Sequence, residues 1–172
     1  MKNFTTWEIL HLLDMTIACA ISYMITTELL VRFVDEPTKL LGALFAVIAT
    51  VFVFRESRAS SLSAGLERLI ATCVSFAVCL PYLLIFPVTG LGMAVAIGLG
   101  AIVRILLSRE DHIVTTGITI AVVLVVARLS PHEAWQQPFL YLFGTLIGIA
   151  VGVCCKWCAS YAFYRVVGEP VR

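Results

Sequence analysis

Ionisable and polar side chains recur at helical spacing along the first apolar stretch of the chain. At 100° per residue, seven residues fall within an arc of about 120°: Glu8, His11, Asp14, Ala18, Ser22, Thr26 and Arg32. Ionisable groups inside a bilayer cost about 2.5–3.5 kcal/mol each, so they normally face protein or a water-filled path. The arc therefore indicates one wall of a permeation route, with Asp14 or the nearby Glu28 as proton-coupling carboxylate. The alternative places Glu8 and His11 in the headgroup region without a function.

A second polar face opens the third apolar stretch. A planar guanidinium can bind a carboxylate through two parallel hydrogen bonds, so arginines beside hydroxyl groups indicate an anion site. The predicted substrate-binding residues are Arg55, Arg58, Arg68, Thr72, Ser75 and Arg104. The alternative is that these arginines only follow the positive-inside rule, with Glu56 and Glu67 as ion-pair partners.

The composition places the elements that carry these residues in a membrane. The chain has 172 residues, 60% hydrophobic and 13% charged, with a mean hydropathy of +1.00. Soluble domains are about 45–50% apolar and about 25% charged. A soluble enzyme is therefore excluded, and a net charge of +1 without a basic run excludes a nucleic-acid binder. No phosphate loop, nucleophile elbow or zinc-protease motif is present, so we expect no enzymatic activity, cofactor or metal.

Apolar runs separated by charges or proline predict an all-α, polytopic membrane protein with six transmembrane helices. The predicted spans are 7–31, 38–54, 62–86, 88–107, 112–128 and 134–160. At about 20 residues per span, they make residues 1–172 a single six-helix transmembrane domain.

A weak internal similarity recurs at an offset of 73 residues. The matching pairs are Arg55 with Arg128, Ser57 with Ser130, Leu69 with Leu142 and Thr72 with Thr145. Three spans separate the copies, so the pattern predicts an inverted repeat of three plus three spans, an architecture common among transporters. The alternative is chance alignment of short apolar segments.

The distribution of basic residues predicts the orientation. One side of the predicted topology takes Lys2, Arg55, Arg58, Arg68, Arg104, Arg109, Lys156, Arg165 and Arg172, and the other takes Arg32, Lys39 and Arg128. Both termini should therefore be cytoplasmic.

Small residues repeat every four positions in two of the predicted spans. The rows are Gly144, Gly148 and Gly152 in the sixth span and Gly92, Ala96 and Gly100 in the fourth. Such rows let helix backbones approach closely, so we expect seams within the chain or at a dimer contact. The sequence assigns no role to Cys154, Cys155 and Cys158, because no second ligand pair accompanies them.

The segment 51–72, VFVFRESRASSLSAGLERLIAT, resembles the signature of the fusaric acid resistance (aromatic acid exporter) family. That family has a helix of the type G-x-x-R-x-x-G-T, which Gly65, Arg68 and Thr72 match, with Ala71 where glycine is usual. The later run GTLIG from Gly144 is similar to the family's second copy of this helix, with Tyr141 in place of the arginine.

The resemblance implies an inner-membrane, multi-pass efflux protein for aromatic or other organic carboxylates. The expected partners are the organic anion, the lipid bilayer, a second copy of the chain in a homodimer and, as a further candidate, a periplasmic adaptor. The alternative function is a non-transporting membrane subunit or scaffold of a larger assembly.

The predicted orientation can be tested with topology reporters. Reporters fused at both ends and in the 55–61 loop should all read cytoplasmic, because the positive charges of these segments are retained inside. A periplasmic signal from either terminus would contradict the six-span topology.

Overall fold

Six α-helices and one 3-10 helix make up the part of the chain that the computed structural model describes, residues 6–54, 58–107, 113–129 and 131–167. The α-helices are α1 (Thr6–Leu30), α2 (Glu36–Val53), α3 (Arg58–Ile85), α4 (Gly90–Leu106), α5 (Ile113–Leu129) and α6 (Gln137–Val167), and the 3-10 helix is Pro131–Gln136. The all-α prediction is confirmed.

Local sequence signals account for several helix starts. Asp35 precedes α2 in an extended conformation and Pro37 lies in the first turn, where its missing N–H costs no helical hydrogen bond. The Thr89 side chain caps α4 by accepting a hydrogen bond from the Gly92 N–H at 3.1 Å. The predicted sixth span begins differently, because the chain first forms the 3-10 helix and becomes α-helical only at Gln137.

Four of the described helices are long and apolar enough to cross a bilayer. Their apolar segments are Leu10–Leu30, Glu36–Val53, Ser60–Ile85 and Ala134–Tyr161. The other two, α4 and α5, are also apolar but have 17 residues each, at the lower end of the range of about 17–25 for a span. Large apolar side chains are exposed on the surface of α3, α4 and α5, for example Leu84, Leu91 and Val114. The chain is therefore a multi-pass membrane protein.

The contacts divide the chain into two compact units. Unit 1 comprises Met1–Leu66 with Gly144–Arg172, and unit 2 comprises Glu67–Phe143. Unit 1 thus holds α1, α2, the beginning of α3 and most of α6, whereas unit 2 holds the rest of α3, α4, α5 and the beginning of α6.

In unit 1, the small and hydroxyl residues of the polar arc on α1 are buried. Ala18, Ser22 and Thr26 are fully inaccessible, and α1 packs against α2. The Thr26 hydroxyl donates to the Ser22 carbonyl at 2.8 Å, so it is satisfied within its own helix. The middle of the arc is therefore a packed face, whereas His11, Asp14 and Arg32 reach accessible surface.

The glycine row of α6 forms a close seam with α2 inside unit 1. A Cβ added at Gly148 would lie 2.2 Å from the Ala46 carbonyl oxygen, and one at Gly144 would lie 2.6 Å from the Gly42 carbonyl oxygen. The Thr50 hydroxyl donates across this seam to the Gly148 carbonyl at 3.1 Å. The row is therefore a seam within the chain, as one of the two sequence-based expectations had it.

Gly148→Ala should lower the free energy of unfolding by about 1–3 kcal/mol, because the new methyl group has to push two backbones apart. Gly98→Ala is the matched control, since a Cβ there meets nothing within 4 Å. It should stabilise α4 by up to about 1 kcal/mol. Thermal unfolding in mild detergent measures both variants, and equal stability of the two would exclude the seam.

Candidate anion-binding site

Three helices of unit 2 meet at Arg68. The Arg68 Nη2 of α3 donates to the Tyr141 hydroxyl of α6 at 2.5 Å, and the Arg68 Cζ lies 5.9 Å from the centre of that ring. The Tyr141 hydroxyl in turn donates to Thr119 Oγ1 of α5 at 3.5 Å. Arg68 is only 5% exposed. The structure thus holds a guanidinium in the interior of unit 2.

Buried hydroxyl groups continue this polar interior along α3 and α5. Thr72 and Ser75 lie one and two turns beyond Arg68 and are 1% exposed each. Thr72 donates to the Arg68 carbonyl at 2.9 Å, whereas Ser75 donates to the Ala71 carbonyl at 2.8 Å and approaches the Thr116 carbonyl at 3.5 Å. Because these hydroxyl protons go to backbone carbonyls, the strong donors for an anion are the arginines.

Arg104 adds a second buried guanidinium to unit 2. It is 1% exposed and lies one turn after Gly100 on the same face of α4. A Cβ at Gly100 would meet the Ile120 side chain at 2.3 Å and the Thr116 methyl group at 3.5 Å, so this face packs on α5. The glycine allows α4 to approach α5 closely enough to cover the arginine.

Gln137 is a polar residue of unit 2 that the sequence analysis did not single out. It precedes Tyr141 by one turn on α6 and is 1% exposed. Neither its Nε2 nor its Oε1 has a hydrogen-bond partner among the described residues. A buried amide without partners costs about 1–3 kcal/mol, so such a group calls for a ligand or water. The sequence did not predict this burial, because Gln136 and Gln137 are two adjacent polar residues near a helix start.

The other predicted site residues are Arg55, Arg58, Asp14 and Glu28. Arg55 lies outside the described residues, and Arg58 is the first residue of α3, in unit 1, with its side chain outside the described part. Asp14 is half-buried and Glu28 is exposed, both on α1 of unit 1. The structure therefore buries Arg68, Thr72, Ser75 and Arg104 within unit 2 and places the predicted proton-coupling carboxylates in unit 1.

Gln137→Met should raise the free energy of unfolding of the ligand-free protein by about 1–2 kcal/mol, because it replaces an unpaired buried amide with an apolar chain of similar volume. Gln136→Met is the matched control at the neighbouring, partly exposed position, and it should change stability by less than about 0.5 kcal/mol. Thermal unfolding in detergent provides the measurement. A destabilised Gln137→Met protein would show that the amide is already satisfied by structural water.

Comparison with known proteins gives one match. A search of curated proteins found no match to this chain. A search of solved structures found none either. The family model described as "Fusaric acid resistance protein-like" matches residues 29–155, which is more than half of the chain.

The matched residues contain all of unit 2, with Arg68, Arg104 and Tyr141. They begin after Asp14 and end one residue before Lys156. The resemblance noted from Gly65, Arg68 and Thr72 is thereby confirmed. The chain belongs to the fusaric acid resistance protein-like family of multi-pass membrane proteins, a family that is associated with transport and is generally non-enzymatic.

Proposed function

We propose that this chain transports organic carboxylate anions outward across the bacterial inner membrane, with the carboxylate bound in unit 2. The observation that carries the proposal is the burial of Arg68 and Arg104, at 5% and 1% exposure, among membrane-embedded helices. Holding a guanidinium away from water is costly, and intramembrane cations typically mark ion or substrate pathways. Each guanidinium offers up to five donors in a fork that matches a carboxylate.

Aromatic side chains in the same unit support aromatic acids as the substrate class. Phe76, which follows Ser75 on α3, packs edge-to-face on Phe139 of α6 with ring centres 4.9 Å apart. Trp135 also packs edge-to-face with Phe139, with ring centres 6.3 Å apart. A substrate ring would find offset and edge-on partners here, while its carboxylate would pair with a guanidinium.

We further propose that all six helices cross the membrane, α4 and α5 included, and that both termini are cytoplasmic. A contact between Lys156 and His11 supports the common side of the termini, because it joins the last third of α6 to the first turns of α1. The inverted repeat is supported by one observation: the hydrogen-bonded residues Arg68 and Tyr141 are themselves 73 positions apart.

A homodimer is the proposed functional assembly, because a six-helix chain has little room for an enclosed path and twofold symmetry is the commonest way to add wall. Within the chain, α2 packs against the glycine row of α6, and the Ile120 side chain packs against Gly100 of α4. The dimer contact would therefore use other, apolar faces of the helices.

Substrate binding at Arg68 can be tested with a single pair of arginine variants. Arg68→Ala should weaken binding of radiolabelled benzoate to the purified protein about 10- to 100-fold, since one charged hydrogen-bonding partner is worth about 1.5–3 kcal/mol. Arg165→Ala, which removes a charge near the end of α6, should change binding by less than about 2-fold.

Arg68→Lys keeps the positive charge and serves as the control for a loss of the fold in Arg68→Ala. It should show intermediate affinity, because an ammonium cannot form the paired hydrogen bonds of a guanidinium. Equal small effects in Arg68→Ala and Arg165→Ala would leave only the positive-inside explanation of these arginines.

A further inference from the structure

A buried ammonium group lies in unit 1, apart from the residues assigned to anion binding. Lys156 of α6 is 3% exposed. Its Nζ lies 3.0 Å from His11 Nδ1 of α1 and 5.2 Å from the centre of the Phe54 ring, which follows α2. The His11 ring also packs on Phe54, with ring centres 5.2 Å apart. From the sequence, Lys156 is predicted only as a topology-determining charge.

A carboxylate completes this cluster. Asp14 lies one turn after His11 on the same face of α1, where residues three apart are neighbours, and it is half-buried. Among the side chains that the structure describes here, the titratable groups are Asp14 and His11 from α1 and Lys156, Cys154, Cys155 and Cys158 from α6. Phe54, which follows α2, contributes an aromatic ring to this cluster.

The inventory of donors and acceptors determines the protonation state of His11. A lysine ammonium has three donors and no acceptor, so His11 Nδ1 has to offer its lone pair and carry its proton on Nε2. A doubly protonated imidazole would place two cations 3.0 Å apart in a buried site. With His11 neutral and Lys156 charged, the Asp14 carboxylate is the group among these three residues that can accept a proton.

We propose that Asp14, His11 and Lys156 form a proton-binding site of this membrane protein. A proton from water adds to a carboxylate oxygen of Asp14, one O–H bond forms, and the net charge of the cluster rises from zero to +1. Lys156 keeps its three protons throughout and holds His11 in the Nε2–H tautomer. The role of this site in driving anion movement rests on the proposed transport function, but proton binding itself does not.

Several observations favour a proton over other ligands. The cluster combines a carboxylate, an imidazole and an ammonium group from two helices inside a bilayer, and such intramembrane sets typically serve proton exchange. The Lys156 ammonium already engages His11 and the Phe54 ring, a cation–π arrangement that stabilises the charged form. All three ionisable residues lie outside the residues matched by the family model.

The site can be tested spectroscopically on the full-length protein in lipid nanodiscs without any substrate. Infrared difference spectra recorded over an acid titration from about pH 8 to pH 3 should show the C=O band of a protonated carboxylic acid, and the part of this band that belongs to Asp14 should be lost in Asp14→Asn. Nitrogen-15 spectra of the histidine side chains, three in the whole chain, should show His11 with an unprotonated Nδ1 at every pH between about 5 and 8.

Replacement of Lys156 tests its role directly. In Lys156→Met, His11 should become doubly protonated on acidification, because no ammonium occupies Nδ1. Lys156→Arg retains a cation and should leave His11 singly protonated. Lys39→Met is the matched control, since Lys39 pairs with Glu36 at 2.6 Å in another part of unit 1, and its spectra should equal those of the wild type.

Two results would overturn the proposal. One is a carboxylic acid band that persists unchanged in Asp14→Asn; the other is the same His11 behaviour in wild type and Lys156→Met. Asp14→Asn decides the question even where Lys156→Met fails to fold. Because no substrate is present, these spectra stand or fall independently of anion binding at Arg68.

Discussion

A bilayer offers no water to solvate a cation, and this constraint governs how the helices of this protein are arranged. Arg68, Arg104 and Lys156 are each at most 5% exposed, so protein groups have to replace their hydration shells. Arg68 uses the Tyr141 hydroxyl and ring, and Lys156 uses His11 and the Phe54 ring. Each of these two cations contacts partners from another helix, so the polar contacts also hold the helices together.

Close helix packing makes this burial feasible. Gly148 brings the backbones of α2 and α6 together in unit 1, and Gly100 brings α4 onto α5 in unit 2 next to Arg104. Lipid tails are as apolar as leucine, so burial of leucine gives little gain between membrane helices, and small residues contribute by close backbone contact instead. The glycines and the buried cations are thus parts of one arrangement.

The two units separate two kinds of chemistry. Unit 2 carries Arg68, Arg104, the buried hydroxyl groups and the Gln137 amide, and it falls entirely within the residues that match the family model. Unit 1 carries the carboxylate, imidazole and ammonium of Asp14, His11 and Lys156, all outside the matched residues. The proposed anion site therefore lies within the residues that match the family model, and the proposed proton-binding cluster lies outside them.

Periodicity along the sequence was sufficient for the features that depend on local order. Apolar runs predicted six helices, and the 3.6-residue repeat placed Arg68, Thr72 and Ser75 on one face, where the structure buries them. The partners of the cations could not be predicted in this way. Tyr141 is 73 residues from Arg68, and His11 is 145 residues from Lys156. Such pairs depend on how helices pack, which no single helix pattern encodes.

The central claim is that this chain by itself moves organic anions, and flux through reconstituted liposomes tests it most directly. Liposomes containing only this protein should take up radiolabelled benzoate faster than protein-free liposomes, because the buried guanidiniums lower the barrier for a carboxylate. Unlabelled benzoate should compete, and the uncharged benzamide should not. Uptake equal to that of protein-free liposomes would contradict the account and favour a non-transporting subunit of a larger assembly.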